Sequence, residues 1–433
     1  METIEKISSG FINSLGLKLA LIGFLTLLLL IPSSMILNLI REREQRRTET
    51  INEVTSVWGN AQTLAGPVLT IPYESASKTV TKYAHILPEN LKIEGSVEPE
   101  VRNRGIYKVV TYRAKLHVTG NFSALELNNL NLPQTVIENP QAFIEIGIPD
   151  LRGINKDISI KWGESVYSVV PGLKCTDLAE SGVHTLVLIS NSNAYSFSFD
   201  IDINGSHSLN FIPLGKVTNV NLTSFWKDPS FGGAFIPDDR KLDEKGFRAN
   251  WNVLQLNRNF PQQWTNDQYS VEESSFGVEL ITPVDTYQKS ERSVKYAILF
   301  IGLTFLVFFF AEVMTKTRIH VVNYLLTGFA LCIFYSLLTA LAEHIYFFLA
   351  YLIAGTTIIG MISVFAHSLY KKWQVTLTVV ITLIVLYTFL YVILQLMDYS
   401  LLFGNIGLVL ILAIVMYFSR KIDWYSTVKS TKP

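Results

Sequence analysis

The last third of the chain holds five long apolar runs in quick succession, and the short loops between them alternate between basic and charge-poor. The runs are Tyr296–Ala311, Val321–Leu341, Ile345–Phe365, Val375–Leu396 and Leu401–Phe418. Each is close to the roughly 20 residues a helix needs to cross the hydrocarbon core of a bilayer. The loops after the first and third runs carry Lys316/Arg318 and Lys371/Lys372, and the tail after the fifth carries Arg420/Lys421. The loops after the second and fourth, around Glu343–His344 and Met397–Asp398, carry no lysine or arginine. Basic residues collect on the cytoplasmic side of membrane helices. The alternation therefore predicts a polytopic membrane protein with a cytoplasmic carboxyl end.

A further apolar stretch lies near the amino end. Leu19–Ile31 continues past Pro32-Ser33-Ser34 through Met35–Ile40, with Lys6 and Lys18 before it. A cleaved signal peptide is the competing reading, but no A-x-A-like site follows and the apolar character runs on for about 22 residues. We read it as an uncleaved anchor. Six spans then place both termini in the cytoplasm and the segment between spans one and two on the outer side. Arg41, Arg43, Arg46, Arg47, Lys289, Arg292 and Lys295 at the two ends of that segment argue the other way. Long domains translocate largely regardless of charge, so the short loops decide the orientation.

Residues from about 41 to 294 are polar and strand-like. A stretch of roughly 250 residues can bury a sizeable core of its own. Ile51, Val54 and Trp58 recur at helical spacing, which predicts a helix docking an apolar stripe on the domain. Gly66-Pro67 is expected to break that segment, with Val68–Ile71 opening the first strand. Val110, Tyr112, Ala114, Leu116 and Val118 then alternate with polar residues, as do Phe197, Phe199, Ile201 and Ile203. Period-two patterning means one buried and one wet face, as in antiparallel sheets. Asn204-Gly205 reads as a hairpin turn, with Leu209 and Phe211 on the return strand. Repetition of such segments predicts a β-sandwich or a large twisted sheet.

Zero net charge suggests no nucleic-acid partner. The domain shows no zinc, thiol-redox, serine-hydrolase or phosphate-loop motif. His85, His117, His184 and His207 are scattered, and His117 lies on the polar face of a strand. Phe231-Gly232-Gly233-Ala234-Phe235 reads as a bulge or close strand crossing rather than a binding loop. Asn121, Asn204 and Asn221 begin N-x-S/T triplets, a number near chance. Cys175 and Cys332 fall in unlike environments, so no disulfide between them is expected, and Cys175 reads as a buried small hydrophobe.

Ionisable groups near the membrane are candidates for function. Glu312 lies near the inner end of span two, within reach of Lys316 or Arg318, and is read as structural. Glu343, His344 and Asp398 close two spans on the outer side. Together they form a polar cluster that could hold a metal or relay a proton. The plainer reading, which we prefer, is interfacial loop polarity, with no catalytic, cofactor-binding or metal residue assigned. Spans two to six lack proline and no internal repeat is evident, unlike many transporters. Ala350, Ala354 and Gly355 read as a site of close helix packing.

Longer motifs carry a resemblance. Arg292-Ser293-Val294-Lys295-Tyr296-Ala297-Ile298-Leu299-Phe300, running into Phe310-Ala311-Glu312, resembles the start of the membrane domain in the CreD family of bacterial inner-membrane proteins. Gly66-Pro67-Val68-Leu69, Asp150-Leu151-Arg152-Gly153, Trp226 with Pro229 through Phe235, and Asp423-Trp424-Tyr425 agree. Residues 174–182 look shorter or more divergent than the family pattern. The resemblance implies an inner-membrane protein associated with envelope integrity, tolerance to certain colicins and induction by a sensor-kinase/regulator pair. It implies no reaction and no catalytic residue.

The expected fold is a six-helix membrane bundle with a large β-rich, antiparallel or sandwich-like periplasmic domain. The expected divisions are residues 1–40 (amino end and first span), 41–293 (periplasmic domain with an N-terminal helix), 294–419 (five-helix bundle) and 420–433 (cytoplasmic tail). The expected function is non-enzymatic, in envelope integrity and stress tolerance, with the β-domain as an interaction module. No cofactor is expected. Expected partners are the bilayer and another envelope protein or a cell-wall component, with no nucleic acid; the sequence leaves the oligomeric state open. A transporter or flippase using Glu343, His344 and Asp398 is one alternative. An enzyme acting on an envelope lipid or cell-wall precursor is another.

Overall fold

The computed structural model describes residues 15–74, 81–124, 130, 141–189, 194–280, 286–315, 317–396 and 399–420. Lys6, Lys316, Met397, Asp398, Lys421, Asp423, Trp424 and Tyr425 lie outside the described residues. The chain divides into two compact units: residues 1–47 with 284–433, and residues 48–283.

Two consecutive helices open the described chain, α1 (Leu15–Leu28) and α2 (Leu30–Trp58), and the unit boundary falls within α2. Seventeen strands follow among the described residues. In order they are β1 (Gln62–Glu74), β2 (Thr81–Ile86), β3 (Asn90–Arg104), β4 (Tyr107–Phe122), β5 (Gln141–Gly147) and β6 (Ser159–Trp162). Next come β7 (Ser165–Ser168), β8 (Val170–Pro171), β9 (Gly182–Leu188), β10 (Tyr195–Ser206), β11 (Ser208–Phe211) and β12 (Val217–Ser224). The last are β13 (Pro229–Gly233), β14 (Asp239–Asp243), β15 (Gly246–Leu254), β16 (Gln263–Thr265) and β17 (Phe276–Leu280).

The strands form two sheets. An eight-stranded sheet runs β14-β15-β12-β3-β4-β10-β6-β7. A nine-stranded sheet runs β13-β17-β11-β1-β5-β9-β8, with β2 on β1 and β16 on β2. One apolar core joins them, drawing Leu69 and Ile71 from one sheet and Tyr112, Phe199 and Trp251 from the other. The alternating residues of β4 and β10 fill it as the pattern predicts: Val110, Tyr112, Ala114, Leu116, Val118, Phe197, Phe199, Ile201 and Ile203 are all buried. Burying each large apolar side chain stabilises the fold by about 1.5–3 kcal/mol. Pairing is antiparallel throughout except for β1 with β11 and β3 with β12, which are parallel.

The end of α2 docks on this unit. Trp58 donates its indole N–H to the carbonyl of Tyr112 at 3.3 Å. Arg102 stacks over the Trp58 ring at 3.6 Å, and Arg104 pairs with Glu53 at 3.1 Å.

Two turn expectations fail here. Gly66-Pro67 does not precede the first strand but lies inside β1, where the register against β5 shifts between Ala65 and Val68. A β-bulge absorbs the residue pair without ending the strand. Asn204-Gly205 is no hairpin; β10 runs straight through it, pairing Asn204 with Arg113 and Gly205 with Tyr112. The Tyr112 ring lies where a Cβ at residue 205 would stand, so glycine is there for space rather than for a turn. The chain turns at His207, whose φ is 62°, and crosses to the other sheet as β11. The Phe231–Phe235 segment holds no bulge: β13 pairs with β17 in unbroken register, Phe231 meets Phe247 and Trp251 edge-on, and Phe235 meets Phe276.

The other unit is helical. After α3 (Thr286–Lys295) come α4 (Ala297–Thr315), α5 (Val321–Ala342), α6 (Phe347–Tyr370), α7 (Trp373–Gln395) and α8 (Ser400–Ser419). Helices satisfy their own backbone hydrogen bonds, the condition for life in lipid. Five helices are long and apolar enough to cross a membrane by length and composition, that of Gly16–Trp58 and α4 to α7, and α8 adds a further apolar helix. Ala350 and Ala354 are fully buried on α6, and the Tyr351 hydroxyl between them donates to the carbonyl of Tyr387 on α7 at 2.7 Å. Arg41 on α2 pairs with Glu291 on α3 at 3.0 Å, and Glu291 also meets Lys295. Both cysteines are buried and free.

Candidate functional site

The nine-stranded sheet assembles a polar cluster by register. Thr70 on β1 lies opposite His85 on β2, and His85 lies opposite Trp264 on β16. Val68 on β1 lies opposite Glu145 on β5, and Glu145 lies opposite His184 on β9. Residues directly opposite one another project to the same face of a sheet. Thr70, His85, Glu145, His184 and Trp264 therefore share one face. The segment between β8 and β9 brings Lys174, Cys175 and Asp177 to it.

The contacts are specific. His85 Nε2 lies 3.1 Å from Asp177 Oδ2, and His85 Nδ1 lies 3.4 Å from the Thr70 hydroxyl. The Cys175 thiol donates to Glu145 Oε2 at 3.5 Å, and the Lys174 backbone N–H donates to Glu145 Oε1 at 2.6 Å. The His85, Cys175 and Asp177 donor atoms lie within 4.8 Å of one another. His85 and Thr70 are 0% exposed, Glu145 4% and Cys175 6%. Burial holds the His85 imidazole below its ordinary pKa against the pull of Asp177, so the ring is neutral at neutral pH. Burial, with Glu145 and Asp177 adding to it, pushes the Cys175 thiol well up. Cys175 is thus buried, as the sequence suggested, but among carboxylates and an imidazole rather than apolar neighbours. The sequence reading assigned no role to His85, Glu145 or Asp177.

The eight-stranded sheet presents a second polar surface on its outer face. An open groove of about 850 Å³ is lined by Glu94, Lys115, His117, Lys156, Asp157, Asp200, Asp202 and Arg248, among others. Cross-strand pairs lie in it and beside it. Arg113 grips Asp202 with two bonds of 2.6 Å, Lys115 meets Glu98 at 2.8 Å and His117 meets Asp200 at 2.7 Å. The Arg113 guanidinium holds the Asp202 carboxyl below its usual range. The Asp150-Leu151-Arg152-Gly153 motif is architectural: Asp150 accepts two bonds of 2.8 Å from the Arg152 guanidinium and one of 3.0 Å from the Asn60 backbone.

In the helical unit, Glu312 is the deeply buried acid. It accepts from Lys18 on α1, from the Tyr324 hydroxyl at 3.0 Å and from the Ile319 backbone N–H at 3.0 Å. The expected partner Lys316 lies outside the described residues, and Arg318 makes no described ion pair with Glu312. A long, flexible lysine on the first span reaches the carboxylate instead. Glu343 accepts from the Tyr287 hydroxyl at 2.9 Å, while His344 is exposed and turns Nδ1 toward the Ala340 carbonyl at 3.1 Å. The described contacts do not join Glu343 to His344, and Asp398 lies outside the described residues. An apolar recess of about 550 Å³ between α4, α7 and α8 is lined by residues such as Leu306, Phe310, Leu386 and Ile411, a surface suited to a lipid chain.

Consecutive apolar helices and a two-sheet, strand-built unit in one chain define a multi-pass membrane protein with a large β-rich domain. The family model described as inner membrane protein CreD matches residues 14–425. The inner membrane protein CreD of Escherichia coli (strain K12) is 33% identical over 416 residues, which cover 92% of this chain and 91% of that protein. The chain belongs to the CreD family of inner membrane proteins. A solved Legionella pneumophila protein named for nutrient binding covers 56% of this chain and 80% of its own, at 8% identity and a TM-score of 0.27. That likeness is too remote to bear on fold or function.

Proposed function

We propose that this multi-pass inner-membrane protein is a non-enzymatic component of the cell envelope, contributing to envelope integrity and stress tolerance. Its β-rich domain is periplasmic, both termini are cytoplasmic, and the domain serves as an interaction module. The alternation of basic and charge-poor short loops supports that orientation. The observation that carries the reading is the open groove on the eight-stranded sheet, where both signs of charge interleave across adjacent strands. Such a surface selects a partner by complementary charge and register more than by buried apolar area. The partner it fits is an extended segment of another envelope protein carrying both signs. Several groove side chains pair across strands, Asp202 with Arg113 and His117 with Asp200 among them, which suits a module that reads charge by register.

In-cell photocrosslinking tests this. A photoreactive residue at Asn221 or Thr223 should give one reproducible adduct, absent when the probe stands at exposed Leu256. Lys115→Glu with Arg248→Glu should remove the adduct and lower envelope-stress tolerance toward that of a deletion strain. Wild-type tolerance and an unchanged adduct in that double variant overturn the reading. Reporter fusions after residue 240 and at the carboxyl end should report opposite compartments; the same compartment overturns the topology.

A further inference from the structure

We propose that His85, Cys175 and Asp177 form a zinc-class metal site in the β-rich domain, with Glu145 as the carboxylate that supports the thiolate. The proposal is independent of the partner-binding groove and stands or falls separately.

The donor set is the first argument. A thiolate, an imidazole and a carboxylate suit a borderline ion such as Zn²⁺, whereas Ca²⁺ and Mg²⁺ prefer all-oxygen sites. Proximity is the second. The three donor atoms already lie within 4.8 Å of one another. Bonds of about 2.0–2.3 Å in a tetrahedral site place ligands roughly 3.3–3.6 Å apart, so the segment carrying Cys175 and Asp177 needs to close by about 1 Å. The third argument is the outer contact. Metal-bound histidines characteristically engage their second ring nitrogen in a hydrogen bond that fixes the tautomer. Thr70, fully buried, sits 3.4 Å from His85 Nδ1 and leaves Nε2 facing Asp177.

Charge is the fourth argument and the one that asks for a cation. Glu145 is 4% exposed, and it accepts from a backbone N–H and a thiol. Among the described residues no lysine or arginine side chain lies within ion-pair distance of it. Asp177 Oδ2 lies 3.1 Å from His85 Nε2 in the same cluster. The carboxylates of Glu145 and Asp177 thus converge on one cluster beside the buried His85 and Cys175, an arrangement that a divalent cation relieves. When the ion binds, the Cys175 S–H bond breaks and a metal–sulfur bond forms. The proton passes to Glu145 Oε2 and on to solvent, and nothing is oxidised or reduced. The bound ion would clasp the segment between β8 and β9 to β2 and β5.

The test uses the full chain in detergent, stripped of metal with a chelator and titrated with Co²⁺ and then Zn²⁺. The expected result is one ion per chain, a thiolate-to-Co²⁺ charge-transfer band with intense four-coordinate visible bands, and displacement of both by Zn²⁺. Cys175→Ser should remove the charge-transfer band, and His85→Gln should weaken binding by more than about 100-fold. Thr70→Val, which touches no metal, should weaken it by about tenfold. Glu343→Gln with His344→Ala, in the helical unit, should bind as wild type does. Failure of the wild-type protein to bind one ion per chain at micromolar Co²⁺ or Zn²⁺, or binding without a thiolate band, overturns the proposal. So does wild-type affinity in Cys175→Ser. Because the wild-type spectrum decides alone, a variant that fails to fold does not rescue the idea.

Discussion

Among the described residues each unit buries one glutamate, and the two are met in different ways. In the helical unit, Glu312 receives a cation from its own chain: Lys18, two hydroxyl- or amide-type donors, and a side chain 6% exposed. In the β-rich unit, Glu145 is as deeply buried but receives a backbone N–H and a thiol. A buried charge with a partner is tolerated, while one without a partner is costly or is met by an ion from solution. The contrast teaches that the bundle's acid is complete as folded and the domain's acid is a socket.

The largest expected effect breaks the first half of that contrast. Lys18→Met strands Glu312, and loss of one member of a buried pair costs about 3 kcal/mol, the low end of the usual range because the Lys18 side chain is 30% exposed. Thermal melts in detergent should show it, and adding Glu312→Gln should recover much of the loss. No change in Lys18→Met would mean that the pair does not hold the first span.

Next, Glu145→Gln sharpens the second half. It keeps an acceptor for the Lys174 N–H but removes the charge, so the metal-free protein should gain about 1–2 kcal/mol. The same variant should lose most of the stabilisation that excess Zn²⁺ gives the wild type, about 2.7 kcal/mol at a hundredfold excess over Kd. Melting followed by tryptophan fluorescence reads both.

A smaller effect tests a carboxylate that already has its cation. Arg113 holds the Asp202 pKa below the ordinary carboxylate value. The unfolded chain then takes up the proton first as pH falls, so this stabilisation is full above about pH 4 and is lost as pH drops through the folded pKa. Melting temperature should fall on acidification below pH 4, and Asp202→Asn should flatten that limb. Least of all, Tyr287→Phe removes one donor from half-exposed Glu343 and should cost about 1 kcal/mol. A larger loss would show that Glu343 needs its partner as much as Glu312 does.

The membrane helices were legible in the sequence because an apolar run and a basic loop are local signals. The ends of the last five spans moved by up to five residues, from one in Val321–Ala342 to five at the end of Phe347–Tyr370, while the helix of the first span ran on to Trp58. Strand alternation in β4 and β10 was legible for the same reason. Turn chemistry was not: Asn204-Gly205 carries a hairpin signal, but the space taken by Tyr112 is a tertiary fact. The polar cluster was least legible. His85, Glu145 and Cys175 come from β2, β5 and a segment after β8, and ladder register brings them together with no fixed spacing. Glu312 and Lys18 stand 294 positions apart, beyond any local pattern.

The pairing of β1 with β11, parallel, and of β2 with β16, antiparallel, joins strands far apart in the chain and has a consequence for biogenesis. β1 can pair with β2 and β5 early, but its pairing with β11 waits for residue 211 and the outer edge of β2 waits for residue 265. Until then the growing chain holds unpaired strand edges and uncovered aromatic residues, the condition in which nascent sheet proteins aggregate. Closure of both sheets is therefore a late event in synthesis, completed only when β16 and β17 are in place.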